Sequence, residues 1–533
     1  MDAHIKSRYF SIPCYGKISK SILGENALLW LGVIVYALLG IYLLQYYRYQ
    51  INPDGISYIS IAKKYLLGDF YNAVNGYWGP MISWLMVPFL SLQIEPLVAA
   101  KLQALVIGGI TLIGMKWLLS KFSINRIIRE LMLFSSIPVL LYFALFVISP
   151  DIHIVCALVC YFSVIFGCNY PENIWKGILC GFIGGMAYLS KSYAFPFFIC
   201  HFVILNFMHY IKSLNKLGVI KNTVFGLIVF IIVSGCWVGI ISYKYKTITI
   251  GTAGVGNYRL VLNPENENAG VGLQIPPNES ALSAHEDPSF IVLEAKSWKI
   301  TNSFKNLNHY MRQVIRNLIQ TKNILTSFSI LSFTIIFAHM FLNAYASNKS
   351  WLQYNTIFPL VSVILYLFGY TLILVEERYL WIVLILLFLM GGYLITFVLN
   401  NKMLRRKWEA IIVVIFLLSF LPHQIIYLLN NVNVNKDIYL LSNMLTNQYN
   451  IRGNIASNKN PELSLAVSYY LNSKYFGTPK GSTGDDELLK DLRKYNINYY
   501  FSWGDKNETS LLGFSYREVN SNGVPKLRIY CVD

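Results

Sequence analysis

Two carboxylates stand where long apolar runs meet polar sequence. They are Asp54, in Asn52-Pro53-Asp54-Gly55-Ile56-Ser57-Tyr58, and Asp151, in Ser149-Pro150-Asp151. An acid at a membrane face costs free energy unless it is solvated, paired or used, so both are candidates for chemistry. Such a group can accept the proton of an attacking hydroxyl or help to hold a divalent ion. Two cations share the same situation: Lys191, in Leu189-Ser190-Lys191, and Arg378, in Glu376-Glu377-Arg378-Tyr379. Cations beside a span suit a lipid phosphate, and a guanidinium can hold two of its oxygens at once. Each residue also has a plainer reading. Asp54 makes a good helix N-cap, and Asp151 after Pro150 complements a helix dipole. Lys191 can be a snorkelling anchor, and Arg378 a partner for Glu376 and Glu377.

The elements that must position these residues are set by composition. The chain has 533 residues, of which 55% are hydrophobic and 13% charged. With a positive mean hydropathy, this is a polytopic membrane protein rather than a soluble one. The formal charge of +17 serves first as topology signal and as contact for membrane lipids, and nucleic acid is not expected as a partner. Eight cysteines lie mainly in apolar runs without a C-x-x-C pair, so neither a disulfide framework nor a zinc cluster is expected. Apolar runs long enough to cross a bilayer fall near 27–47, 95–118, 131–149, 152–169, 174–190, 193–211, 218–243, 323–344, 352–374, 378–399 and 409–429, about eleven spans by that length criterion. The first run is expected to be retained as a helix, because no small-residue cleavage site follows it.

With this count the basic loops fall on one side: Lys6, Arg8, Lys17 and Lys20; Lys116, Lys121, Arg126 and Arg129; Lys212, Lys216 and Lys221; Lys402, Arg405, Arg406 and Lys407. That side is cytoplasmic by the positive-inside rule, with the N-terminus, in a bacterial inner or plasma membrane. The opposite, extracytoplasmic side then carries the first outer loop (48–95), the Asp151 and Lys191 turns, the long outer loop (244–322), the Glu377 turn and a tail. The expected organisation is an all-α membrane unit, 1–429, and an extracytoplasmic α/β domain, 430–533. The tail pattern predicts Ile451 to Ala456 extended, Pro461 to Leu471 and Asp485 to Lys494 helical, Asn498 to Trp503 extended, and a hairpin around Asn522-Gly523. No fixed-period repeat is present.

In the first outer loop, Gly55 to Leu67 carries apolar residues at helical spacing and Gly68 as a stop, which predicts a helix in the membrane interface. Asp69 and the turn Asn75-Gly76-Tyr77-Trp78-Gly79-Pro80 follow, suited to a headgroup or sugar face or to an aromatic belt. In the long loop, the glycine run 251–256 lacks the strand-helix context of a nucleotide site. His285, Glu286 and Asp287 could bind a metal or the acceptor, but three adjacent residues cannot all enter one site, and His285-Glu286-Asp287-Pro288 reads first as an exposed turn. The helical stretch Ser289 to Gln320 suits a membrane surface and acceptor recognition.

Taken together these residues resemble the GT-C superfamily of polytopic glycosyltransferases, in the branch of protein O-mannosyltransferases and lipid A aminoarabinose transferases. The resemblance rests on Asp54 opening the first outer loop, the interfacial helix ending Gly68-Asp69, Pro150-Asp151, Leu189-Ser190-Lys191 and Glu377-Arg378-Tyr379, and it covers roughly residues 25 to 400. Gly55 stands where many relatives carry a second acid, and Ser192 where glycine is common. The resemblance implies a cell-envelope hexosyl- or pentosyltransferase, moving a sugar from a polyprenyl-phosphate donor to a lipid, glycan or protein acceptor with inversion. Asp54 and Asp151 would be catalytic, Lys191 and Arg378 would bind donor phosphate, and Tyr58, Asp69, Asn75, Tyr77, Trp78, Glu377 and Tyr379 would contact substrate. No cofactor is certain; a divalent cation on Asp54 and Asp151 is left open. The rival is a transporter or flippase of lipid-linked sugars, which should show broken spans in paired positions and charges at mid-membrane depth rather than at one interface.

Overall fold

A computed structural model describes residues 22–262, 272–294, 299–345, 350–403, 405–480, 485–504, 516–519, 521 and 523–532. The basic cluster Lys6, Arg8, Lys17 and Lys20 and the hairpin residue Asn522 lie outside the described residues. This is an integral membrane protein of helices with a small C-terminal sheet. Among the described residues, seven helices are long and apolar enough to cross a membrane, or up to nine if each of two bent pairs is one span. Two shorter apolar helices, Asp151–Ile165 and Ile174–Ser190, complete the segments expected from hydropathy. Two segments differ from expectation: the run 409–429 is bent by 43° between Lys407–Ser419 and Pro422–Asn430, and a second run is broken more sharply. The run 323–344 is not one straight helix, because Phe304–Phe328 and Ser332–Ala344 meet at 99°. Ser329 breaks the chain there: its extended backbone ends the first helix, and its hydroxyl caps Leu331 N.

The centre of the bundle is Trp381–Asn400, buried along almost its whole length. Trp381 is fully buried and stacks on Phe143 with ring centroids 4.2 Å apart, which fixes the Arg378 turn immediately before it. Ile174–Ser190 lies against Lys216–Tyr245 with backbones nearly touching. A Cβ at Gly181 would stand 2.0 Å from Gly226 O, and one at Gly177 would stand 2.4 Å from Asn222 O. This is the small-residue spacing that lets membrane helices approach closely. It delivers Lys191 to the end of the helix, beside Asp151 at the start of its own.

The first outer loop forms Pro53–Leu66, Phe70–Ala73 and Pro80–Ser91. Gly68, at φ +79°, ends the first of these as expected. In the C-terminal part, strands β1 (Ile455–Ser457), β2 (Tyr499–Trp503), β3 (Tyr516–Val519) and β4 (Leu527–Cys531) form one sheet in the order β1-β2-β4-β3. Strand β1 runs parallel to β2, and the other pairs are antiparallel. Helices Pro461–Tyr470 and Asp485–Lys494 accompany the sheet. This part shares a hydrophobic core with the first outer loop, in which Ile56, Ile59 and Met86 join Leu465, Leu471 and Trp503.

Candidate active site

Asp54, Asp151, Lys191 and Arg378 are brought together by four separate elements. Asp54 is in the first turn of Pro53–Leu66, yet it is not the helix cap. Asn52 holds the cap position, and its side chain pairs with the backbone of Ile148 instead. The Asp54 carboxylate turns away to Arg378, whose Nη1 donates to Oδ2 at 2.9 Å. Arg378 Nε lies 2.7 Å from Glu376 Oε2 and 3.7 Å from Asp151 Oδ2. Lys191 Nζ donates to Asp151 Oδ1 at 2.6 Å and sits 3.4 Å from the centre of the Tyr379 ring. The four charges thus form one chain, Asp54–Arg378–Asp151–Lys191.

Burial works against the Asp54 charge, but the His285 imidazole and the Arg378 guanidinium outweigh it and hold the carboxyl at about 2. Burial pushes Lys191 below the ordinary lysine value, with Asp151 opposing the shift. Arg378 is shared among Asp54, Asp151 and Glu376, and a guanidinium keeps its charge at any ordinary pH. Asp151 Oδ2 has no hydrogen-bond partner. An unspent acceptor beside a guanidinium is an opening for a ligand hydroxyl.

These groups line a cavity of about 180 Å³ together with Tyr58, Tyr77, Trp78, Tyr379, His285 and Glu376. The turn carrying Tyr77 and Trp78 reaches the cavity because Gly79 lets it touch the Lys191 turn: a Cβ there would stand 2.4 Å from Ser190 O. Three expected contacts are elsewhere. Asp69 binds Asn72 beside its own short helix. Asn75 is buried as a fastener, accepting from Tyr77 N and Trp78 N and donating to Glu286 O. Glu377 faces Tyr142 and His423, at 2.6 and 3.0 Å. None of the three lines the cavity, because the adjacent Glu376 and Arg378 take the inward positions of that turn.

His285 was not expected here, and its turn is not exposed. Its Nε2 lies 3.5 Å from Asp54 Oδ1, while its backbone carbonyl accepts from Trp78 Nε1 at 3.1 Å and Ser57 Oγ at 3.3 Å. The two acids that follow point elsewhere and are buried. Glu286 pairs with Lys64. Asp287 pairs with Lys244 at 3.1 Å and accepts from Tyr245 OH at 2.8 Å. The long loop is therefore strapped across the interfacial helix by two ion pairs, with His285 held over Asp54. The only sequence signal was a histidine followed by two acids.

The cavity has two neighbours. One, of about 290 Å³, shares Lys191, Ser192 and Tyr379 and is otherwise mostly apolar, with Tyr193, Pro196, Tyr370 and Ile373 in its wall. The other, of about 270 Å³, shares His285 and runs between Pro53 and the C-terminal residues Pro461, Glu462, Leu465 and Tyr475. Pro53, Pro461 and Glu462 also border a cleft of about 590 Å³ with Asn52, Asn435 and Asn460.

Two solved structures are similar over nearly the whole chain. ArnT from Cupriavidus metallidurans bound to undecaprenyl phosphate superposes with a TM-score of 0.58 at 11% identity, covering 96% of this chain and 98% of that one. The oligosaccharyltransferase of Archaeoglobus fulgidus in the apo form gives a TM-score of 0.51 at 11% identity, covering 92% and 70%. This chain has a GT-C fold. No family model and no curated protein sequence matches it. Within the GT-C fold, Asp54 and Asp151 are both paired with cations of the chain itself, and among the described residues no three His, Cys, Asp or Glu side chains group together.

Proposed function

We propose that this protein is a glycosyltransferase that moves a sugar from polyprenyl phosphate to a hydroxyl-bearing acceptor on the extracytoplasmic face. The observation that carries the reading is the Asp54–Arg378–Asp151–Lys191 chain at the junction of two cavities, one walled by Tyr193, Tyr370 and Ile373 and the other reached past His285 and Glu462. An anionic headgroup meets Lys191 and Arg378 with its lipid tail along Tyr193, Tyr370 and Ile373, and the likeness to ArnT bound to undecaprenyl phosphate supports such a carrier. The acceptor then enters past His285 and Glu462. The basic loops support a cytoplasmic N-terminus and an outward-facing site.

A carboxylate at about 2 is a feeble base, because proton transfer is efficient when donor and acceptor affinities match. Donor phosphate would compete for Arg378, freeing Asp54 from its ion pair and raising its basicity as the substrate arrives. The acceptor oxygen attacks the anomeric carbon and gives its proton to Asp54. The bond from that carbon to the phosphate oxygen breaks, and the departing charge falls on Lys191 and Arg378. His285 holds Asp54 in position from the other carboxylate oxygen.

The test is sugar transfer from a panel of radiolabelled polyprenyl-phosphate sugars in membranes holding the native chain or Asp54→Asn at matched abundance. Transfer that vanishes in the variant supports the assignment. Transfer retained in the variant removes Asp54 from the reaction, and labelled lipid crossing the bilayer without transfer makes the protein a flippase.

A further inference from the structure

The helix Phe304–Phe328 has three distinct faces at about 100° per residue. Asn317, Thr321, Ile324, Leu325 and Phe328 are buried against the protein, with Asn317 Nδ2 donating to Thr371 O at 3.0 Å. Phe304, Leu307, Met311, Ile315 and Leu318 form a second face and are exposed. Lys305, Arg312 and Arg316 lie about 100° to 140° round from Met311 by the same periodicity. They are exposed, and among the described residues no carboxylate pairs with them. The 25-residue helix contains no Asp or Glu. It meets Ser332–Ala344, which packs beside the span Tyr354–Thr371, at 99°. Where Ser332–Ala344 runs across the bilayer beside Tyr354–Thr371, a helix at 99° to it lies in the bilayer plane.

An exposed apolar stripe with a cation row on its flank fits a bilayer boundary, where apolar side chains enter the acyl region and cations meet headgroups. A soluble acidic partner or a nucleic acid would leave the stripe in water. We propose that Phe304–Phe328 is an in-plane helix that binds anionic phospholipid headgroups through Lys305, Arg312 and Arg316. The site does not depend on the reaction assigned above. It is close to it, since this helix touches Ala253–Leu262, whose Asn257 lines the reaction cavity and meets Tyr77 at 3.3 Å.

The full chain is reconstituted in vesicles of phosphatidylcholine alone or with phosphatidylglycerol, and amide hydrogen exchange of the 304–328 segment is followed by mass spectrometry. Anionic lipid should slow exchange there, with headgroup affinity falling about fivefold for each cation removed. The slowing should be absent in Lys305→Gln/Arg312→Gln/Arg316→Gln. In the native chain, which needs no variant, raising salt to about 0.5 M should abolish the difference between the vesicles. Equal exchange in both vesicles, or a difference that ignores salt and the triple substitution, would overturn the proposal and leave a purely apolar anchor. A slowing produced equally by a few per cent of polyprenyl phosphate in neutral vesicles would also overturn it, making the helix a carrier site.

Discussion

The same chemistry, carboxylate against cation, is used in two places a few residues apart and to opposite ends. In the strap, Lys64–Glu286 and Lys244–Asp287 are buried pairs whose acids face no ligand cavity. In the cavity, Arg378 is divided among Asp54, Asp151 and Glu376. A sealed pair fastens, because removing one partner strands a buried charge. A shared cation next to open space can be taken by a ligand, and its carboxylates then change their proton affinity. Ion-pair counting would treat the two regions alike; sharing and access separate them.

That distinction can be broken by substitution. Asp54→Asn is expected to have the largest effect on activity, lowering transfer by about a hundredfold to ten-thousandfold, with a smaller fall in melting temperature than a broken strap pair gives, because Arg378 keeps Asp151 and Glu376 as partners. Arg378→Gln should follow, at about a hundredfold to a thousandfold, with a raised KM for donor because the phosphate loses a ligand. The strap should respond the other way. Glu286→Gln leaves Lys64 buried without its partner and should cost about 3–5 kcal/mol of stability, read as a fall in melting temperature of the detergent-solubilised protein. The double substitution Lys64→Met/Glu286→Leu should recover most of that loss. If Glu286→Gln instead abolished transfer with unchanged stability, the strap would belong to the chemistry and the comparison would fail.

The sequence resolved what is local and missed what is distant. Apolar length located the spans, and the acids and cations at their ends proved to share one cavity, because a span end is a fixed depth and the loops on one side converge. By residue type and position Asp54 also fits a helix cap. The choice needed Arg378, 324 residues away, and Ile148, whose backbone occupies Asn52. Glu376 and Glu377 were indistinguishable by type, and only the turn geometry before the buried Trp381 sends one to Arg378 and the other to Tyr142 and His423. His285 was hidden for the same reason. A histidine followed by two acids looks solvated, whereas Lys64, Lys244 and Trp78, supplied by three other segments, bury that turn. The 99° break at Ser329 was likewise invisible to hydropathy, which continues across it.

The pH response sharpens the comparison at smaller amplitude. Asp54 sits at about 2 in the folded chain against about 3.9 unfolded. A depressed folded value means that its ion pair contributes stability fully above about pH 4, and that this contribution disappears as pH falls towards about 2. The melting temperature of the native chain should therefore fall relative to that of Asp54→Asn across this window and run parallel to it at higher pH. A constant gap between the two curves would mean that Arg378 does not depress Asp54.

The smallest effect is expected where the C-terminal part meets the cavity. Glu462 is the one charged group bordering both the about 270 Å³ and the about 590 Å³ spaces, accompanied by Asn52, Asn435 and Asn460 rather than by cations. Such a wall favours neutral hydroxyl and amide groups and disfavours a phosphorylated acceptor, whose charge would face a carboxylate with no cation to offset it. Glu462→Gln should raise the KM for acceptor by about three- to tenfold, the worth of one charged hydrogen bond, and leave the KM for donor unchanged. Because Glu462 lies on the far side of His285 from Lys191, a shift in donor KM instead would mean that the two cavities serve one substrate, and the division of the site into a lipid side and an acceptor side would have to be abandoned.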